Sequence, residues 1–130
     1  MATFRPNENK NVCKLNFDDK FTYELPLHED FTRKVAKIAE EQQKALQNII
    51  NGGEDEFKTA YNMSLDALDE LIGEGAGADI MSIFENPGLY EVAAVINYIA
   101  EEYKEAYSAL LNKYKAQGKA PAATLPRGRK

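Results

Sequence analysis

The side chains that could do chemistry begin with one histidine beside two carboxylates. His28, Glu29 and Asp30 are possible metal ligands, but a transition-metal site normally draws on more than one histidine, and this chain has only one. Residues of this kind also cap helices, since their side chains accept hydrogen bonds from free backbone N–H groups. We therefore predict a capping role for this group.

A second group of carboxylates, Asp66, Asp69 and Glu70, could support acid and base chemistry if burial separated their pKa values. A solvated helix face is the favoured interpretation, because ionised carboxylates are rarely buried. A two-metal carboxylate centre would need Glu-x-x-His motifs, which the sequence lacks. We predict no catalytic residue, no cofactor and no metal site. One enzymatic alternative stays open, a small hydrolase that uses these carboxylates with a hard cation such as magnesium.

Three alternating glycines, Gly73, Gly75 and Gly77, could suggest a phosphate-binding loop. They follow a predicted helix and lack the Lys and Ser/Thr pair of a P-loop, and Glu74 and Asp79 would repel phosphate. We predict that the glycines end the helix and form a tight turn that lets two backbone segments approach closely.

The composition is that of an ordinary soluble domain. The chain has 130 residues, of which 44% are hydrophobic and 28% charged, and it contains no apolar run long enough for a membrane span. A single cysteine, Cys13, excludes an internal disulfide. The net charge is −5, and the acidic body argues against nucleic-acid binding. We predict a cytoplasmic protein. The end of the chain is locally basic and carries Lys119, Arg127, Arg129 and Lys130.

The elements that must position these residues follow from hydrophobic periodicity. Alternating apolar residues predict a hairpin, and apolar residues spaced by three and four predict helices. We predict a mainly α fold, with an N-terminal β-hairpin followed by a bundle of three longer helices and one short helix. Asp30 is the predicted N-cap of the first helix, and Asn86 with Pro87 would open the last. The predicted segments are a flexible arm 1–11, one globular domain 12–115 (hairpin 12–25, helices about 30–50, 55–72, 77–84 and 87–115), and a disordered basic tail 116–130.

Five of the seven tyrosines lie on the predicted last helix. Tyr103 and Tyr114 belong to its main apolar stripe. A further apolar surface beside that stripe contains Tyr90, Tyr98, Tyr107 and Leu111. Tyrosine-rich helix surface is typical of a protein contact, but a fully surrounded central helix would show the same pattern. We predict these four residues as contact candidates and leave the core alternative open.

The hairpin, the helical remainder and the segment 66–76, which reads DALDELIGEGA, together resemble the tail assembly chaperones of long-tailed phages and prophages of Gram-positive bacteria. The resemblance covers about residues 12–114, and its most specific part is the helix end with the glycine turn. It implies a non-enzymatic protein of the host cytoplasm that is absent from the finished virion.

The resemblance further implies two partners. Such chaperones bind the tape measure protein, keep it soluble and help to bring tail tube subunits to it, in many members through a frameshifted, extended form. Self-association is a further expectation, and we predict that the contact residues above serve the client or a second copy. The alternative from another class is a small acidic helical adaptor that binds one folded host protein in a salt-sensitive one-to-one complex.

Overall fold

A computed structural model describes residues 2–5, 11–49 and 52–119, with side chains as far as Lys115. The alternating segment forms β1 (Val12–Phe17) and β2 (Phe21–Pro26), which pair antiparallel as a two-stranded sheet. Because successive strand residues point to opposite faces, one face is apolar and faces the helices. Its buried members are Cys13, Leu15, Phe17 and Leu25. The predicted hairpin is confirmed.

A turn held by one asparagine joins the two strands. Asp18 and Asp19 both have φ of +57°, a left-handed conformation that aspartate tolerates better than most residues. The side chain of Asn16 accepts a hydrogen bond from the Asp19 N–H at 2.9 Å and donates one to Asp19 Oδ1 at 2.9 Å. The Lys20 N–H closes the turn on the Phe17 carbonyl at 3.0 Å.

The first helix, α1 (Glu29–Asn48), begins one residue before the predicted cap. His28 is the N-cap, and its Nδ1 accepts a hydrogen bond from the Asp30 N–H at 3.2 Å. The prediction that Asp30 caps this helix is therefore wrong, because Asp30 supplies the N–H and His28 the acceptor. The capping role predicted for this group as a whole is confirmed.

Three more helices follow. They are α2 (Glu54–Ile72), α3 (Ala76–Met81) and α4 (Leu89–Lys119). The predicted fold class, a hairpin followed by three long helices and one short helix, is confirmed. One apolar cluster joins the hairpin to all four helices, with Val92, Ile96 and Ile99 of α4 buried in it.

The boundaries of the last two helices differ most from the predictions. We predicted a third helix over 77–84, but α3 ends at Met81, after which Ile83 and Phe84 donate their N–H groups three residues back, in tight turns that redirect the chain. We predicted a last helix over 87–115, but its first helical hydrogen bond joins the Val92 N–H to the Gly88 carbonyl at 3.0 Å. The predicted capping role of Asn86 and Pro87 is wrong for that reason.

The predicted ends of the chain also need correction. The Asn11 carbonyl accepts a hydrogen bond from the Leu27 N–H at 3.1 Å, so this residue continues the hairpin ladder and does not belong to a free arm. Residues 2–5 have no regular secondary structure, and residues 1 and 6–10 lie outside the described residues. At the other end α4 continues to Lys119, into the segment predicted to be disordered, and the rest of that segment, 120–130, lies outside the described residues.

Candidate protein-contact surface

The four predicted contact residues all lie on α4, but they do not form one surface. Tyr98 is half-buried and faces the hairpin, and Tyr90 is 65% exposed near the start of the helix. Only Tyr107 and Leu111, one helical turn apart, share a face. The structure therefore divides the predicted surface into three separate places.

The hydroxyl group of Tyr98 is used inside the molecule. It accepts a hydrogen bond from the Asn16 N–H at 3.1 Å and donates one to the Asn16 carbonyl at 3.2 Å. The Tyr98 ring packs edge to face on Phe17 with centroids 5.3 Å apart. Asn16 belongs to β1, so Tyr98 ties α4 to the hairpin.

Tyr103 has a parallel role that its place in the apolar stripe did not reveal. It is 2% exposed, and its hydroxyl donates to the Pro26 carbonyl at 2.7 Å and accepts from the His28 N–H at 3.2 Å. The hydroxyl thereby joins the end of β2 and the cap of α1 to α4. A tyrosine among aliphatic residues was the available signal, since a buried phenol needs a hydrogen-bond partner.

The apolar stripe of α4 continues beyond Tyr103, where the side chains of the helix become more exposed. Tyr107 still stacks on Tyr103, with centroids 6.4 Å apart, and is half-buried. Leu111 is 48% exposed and Tyr114 52%, and every described side chain from Leu111 to Lys115 is exposed. We call the open end of this apolar surface the distal strip; it consists of Leu110 and Tyr114 of the main stripe and of their neighbours Tyr107 and Leu111.

A separate apolar groove lies where the hairpin turn meets the first half of α4. Its volume is about 220 Å³, and its walls come from β1, the segment after α3, and α4. We call it the turn groove; its main lining residues are Phe17, Ile83, Phe84, Ala94, Val95 and Tyr98. Ala94 is exposed on its α4 wall, and Asp18 stands at its edge. The sequence prediction missed this groove, because its walls come from parts of the chain that are distant in sequence.

The predicted glycine turn is a close-packed structural element. Gly73 and Gly75 have φ of +152° and +85°, and Gly75 precedes α3 in the left-handed conformation. A Cβ atom on Gly77 would lie 2.8 Å from the Leu65 carbonyl oxygen, so only glycine fits between α2 and α3 here. Asp69 Oδ1 accepts a hydrogen bond from the Gly77 N–H at 2.7 Å.

The carboxylates considered for chemistry do not come together as one site. Asp69 is half-buried and accepts a hydrogen bond from the glycine turn, whereas Asp66 and Glu70 are exposed. Among the described residues, no group of three or more His, Cys, Asp or Glu side chains is placed to hold a metal ion. His28 Nδ1 is engaged in the capping hydrogen bond with the Asp30 N–H.

Burial changes the pKa of three groups on or near the core. Desolvation raises the pKa of the Cys13 thiol, and the Glu102 carboxylate raises it further. Desolvation likewise raises the pKa values of Tyr23 and Tyr61, with smaller contributions from Asp79 and Glu91 respectively. The Cys13 side chain is buried beneath α4, which disfavours the thiolate form that a reactive cysteine needs.

No protein-family model, curated protein or solved structure matches this chain. Within the described part of the chain, none of the helices combines the length and the apolar composition needed to cross a bilayer.

Proposed function

We propose that this protein is a non-enzymatic chaperone of phage tail assembly, which binds the tape measure protein in the host cytoplasm, keeps it soluble and helps to recruit tail tube subunits. The sequence resemblance over segment 66–76 suggests the family. The structural observation that carries the proposal is the distal strip, an apolar surface on a helix that extends past its own domain.

The spacing of the distal strip suits a helical client. Tyr107, Leu110, Leu111 and Tyr114 occupy positions i, i+3, i+4 and i+7 of α4, the set that one helix presents to another. A tape measure protein is expected to be a long helical chain with an apolar stripe of its own. Burying the two stripes against each other would remove both from water and suppress aggregation of the client.

The tyrosines of the distal strip also suit a contact that several copies of the protein can make along one client. Tyr107 and Tyr114 offer large apolar rings with few rotatable bonds, so ordering them costs little conformational entropy. Several copies lined up along one client would add their contacts through effective concentration. The acidic net charge of −5 per copy would help to keep such a complex in solution.

The decisive experiment is co-expression with a tape measure protein, the client that this proposal assigns, using two neighbouring charge substitutions. Leu111→Asp places a carboxylate in the strip, and Asn112→Asp places the same group one residue away on an exposed, already polar position. We expect Leu111→Asp to lose most of the soluble, co-purifying client and Asn112→Asp to retain it. Circular dichroism should show both variants folded, because both positions are exposed.

The stoichiometry of the purified complex separates the two classes of function. Many copies per client support the chaperone, whereas a one-to-one complex with a folded host protein that weakens with salt supports the adaptor. If the wild-type chain leaves client solubility unchanged, the chaperone proposal is wrong. If both charge variants solubilise the client as wild type does, the proposal stands and the distal strip is not its contact.

A further inference from the structure

Acidic side chains lie beside the turn groove. Asp18 stands at its edge, paired at 3.7 Å with Lys20. On α4, Glu101 and Glu105 follow the groove on the same side of the helix as Ala94, since each lies within about 20° of it at 100° per residue. Lys104 lies about 80° away around the helix. An apolar pocket thus continues into a line of two exposed carboxylates.

The segment 120–130 of the chain has the matching chemistry. It reads APAATLPRGRK, in which Leu125 is the only large apolar side chain and every charged residue is basic. Proline disfavours helix at the residue before it, so the bound form to consider is an extended one, in which alternate residues share a face. Leu125, Arg127 and Arg129 would therefore point the same way.

The spacing of the two arginines, Arg127 and Arg129, also agrees with that of the two glutamates of α4. Two residues of extended chain advance about 6.6 to 7 Å, which is the interval between Arg127 and Arg129. The four residues from Glu101 to Glu105 advance about 6 Å along α4. With Leu125 in the turn groove, the two guanidinium groups would reach the two carboxylates in order.

A chain cannot make this contact with itself. Lys119, the last residue of α4, lies about 36 Å along the helix from Val95 in the groove wall. The six residues from Lys119 to Leu125 span at most about 21 Å when fully extended. Leu125 therefore falls well short of the groove of its own chain and can reach only that of another copy.

We propose that the turn groove binds segment 120–130 of a second copy of this chain, with Leu125 in the apolar pocket and Arg127 and Arg129 on Glu101 and Glu105. The contact is head to tail, so a pair of copies keeps one free groove and one free segment, and further copies can add in a row. The groove and the distal strip lie on roughly opposite sides of α4, which leaves the strip of every copy open.

The test uses two full-length variants that each disable one half of the contact. Ala94→Arg fills the exposed wall of the groove with a residue that favours helix, and Leu125→Asp removes the apolar anchor. Ala36→Arg, at an exposed position of α1, is the matched control for the first. Sedimentation velocity over a range of concentrations measures the association of each variant alone and of an equimolar mixture of the two.

We expect wild type and Ala36→Arg to form a concentration-dependent series of species, which weakens as salt rises. Each disabling variant alone should associate at least about tenfold more weakly, the effect of withholding one leucine side chain from its pocket. The mixture should recover a single one-to-one dimer, because it contains one intact groove and one intact segment. Wild-type growth beyond the dimer, together with a mixture that stops at the dimer, is the signature of a head-to-tail contact.

Three results would overturn the proposal. They are a wild-type chain that stays monomeric, a Leu125→Asp variant that associates like wild type, and a mixture that does not recover the dimer. Loss of association in Leu111→Asp alone would place the self-contact on the distal strip instead. Client solubilisation is a separate readout, so Ala94→Arg should leave it intact even if the self-contact is lost.

Discussion

The two halves of α4 contain the same kinds of residue but have different structural roles. In the proximal half, residues 89–103, the hydroxyl groups of Tyr98 and Tyr103 form hydrogen bonds with backbone atoms of the hairpin and of the β2–α1 junction. In the distal half, residues 104–115, Tyr114 continues the same apolar stripe into solvent, with the half-buried Tyr107 beside it. The difference lies in what packs against each half, not in the residues of the helix.

This contrast shows how one helix can be both a core element and an exposed contact. At 31 residues α4 is about 46 Å long, whereas α1, at 20 residues, is about 30 Å long. The hairpin and α1 cover the proximal half, whereas every described side chain from Leu111 to Lys115 is exposed. The N-cap of α1 lies at Tyr103, and α1 runs from there back along the proximal half, with Val35 and Ile38 beside Ile96 and Ile99. The distal strip is therefore a consequence of where α1 begins, and it is available to a partner without any rearrangement.

The largest expected effect is a difference in stability between alanine variants of the two halves of α4. Tyr103→Ala removes a ring that is 2% exposed and should lower the free energy of unfolding by about 3–5 kcal/mol. Tyr114→Ala removes a ring that is 52% exposed and should change it by less than about 0.5 kcal/mol. Urea denaturation of both variants measures this. Comparable losses in the two would mean that the distal half is packed as firmly as the proximal half.

A finer prediction separates the two hydroxyl groups of the proximal half. Tyr103→Phe leaves the Pro26 carbonyl without its 2.7 Å partner at a part-buried site and should cost about 1–2 kcal/mol of unfolding free energy. Tyr98→Phe should cost less than about 0.5 kcal/mol, since water can reach the exposed Asn16 backbone. Thermal and urea unfolding of both variants test the order. The reverse order would show that the hairpin turn, not the β2–α1 junction, is the tighter attachment to α4.

The sequence was sufficient for the elements because their signals are local. Strict alternation around Cys13, Leu15 and Phe17 predicted the hairpin, and three-to-four spacing predicted the helices. The helix starts were misplaced because several residues at each junction could cap, and tertiary contacts chose among them. His28 caps α1 where its own N–H is held by the Tyr103 hydroxyl, which no local pattern reveals.

The candidate surface was less predictable, for a related reason. Tyr98 and Tyr107 were both predicted as contact residues, although nine residues at 100° each place them about 180° apart around α4. In the fold Tyr98 faces β1, and Tyr107 adjoins the open end of the bundle. Which side of a helix is covered depends on the length and position of its neighbours, information that hydrophobic periodicity does not contain. The turn groove was beyond prediction altogether, because Phe17, Phe84 and Val95 meet only in the folded chain.

The smallest expected effect concerns the thiol that the proximal half of α4 covers. Burial raises the pKa of Cys13 above its ordinary value of 9.0, and Glu102 of α4 adds to the shift. Below pH 9 the thiol is protonated in both the folded and the unfolded chain, so the stability linked to it is fully present. As pH rises through 9.0 the unfolded thiol ionises first, and that stability is lost, at no more than about 1.4 kcal/mol per pH unit. The difference in unfolding free energy between wild type and Cys13→Ala should therefore shrink between pH 8 and pH 10. A difference that stays constant over that range would mean that α4 does not keep water from the thiol, and that the proximal half is more open than its packing indicates.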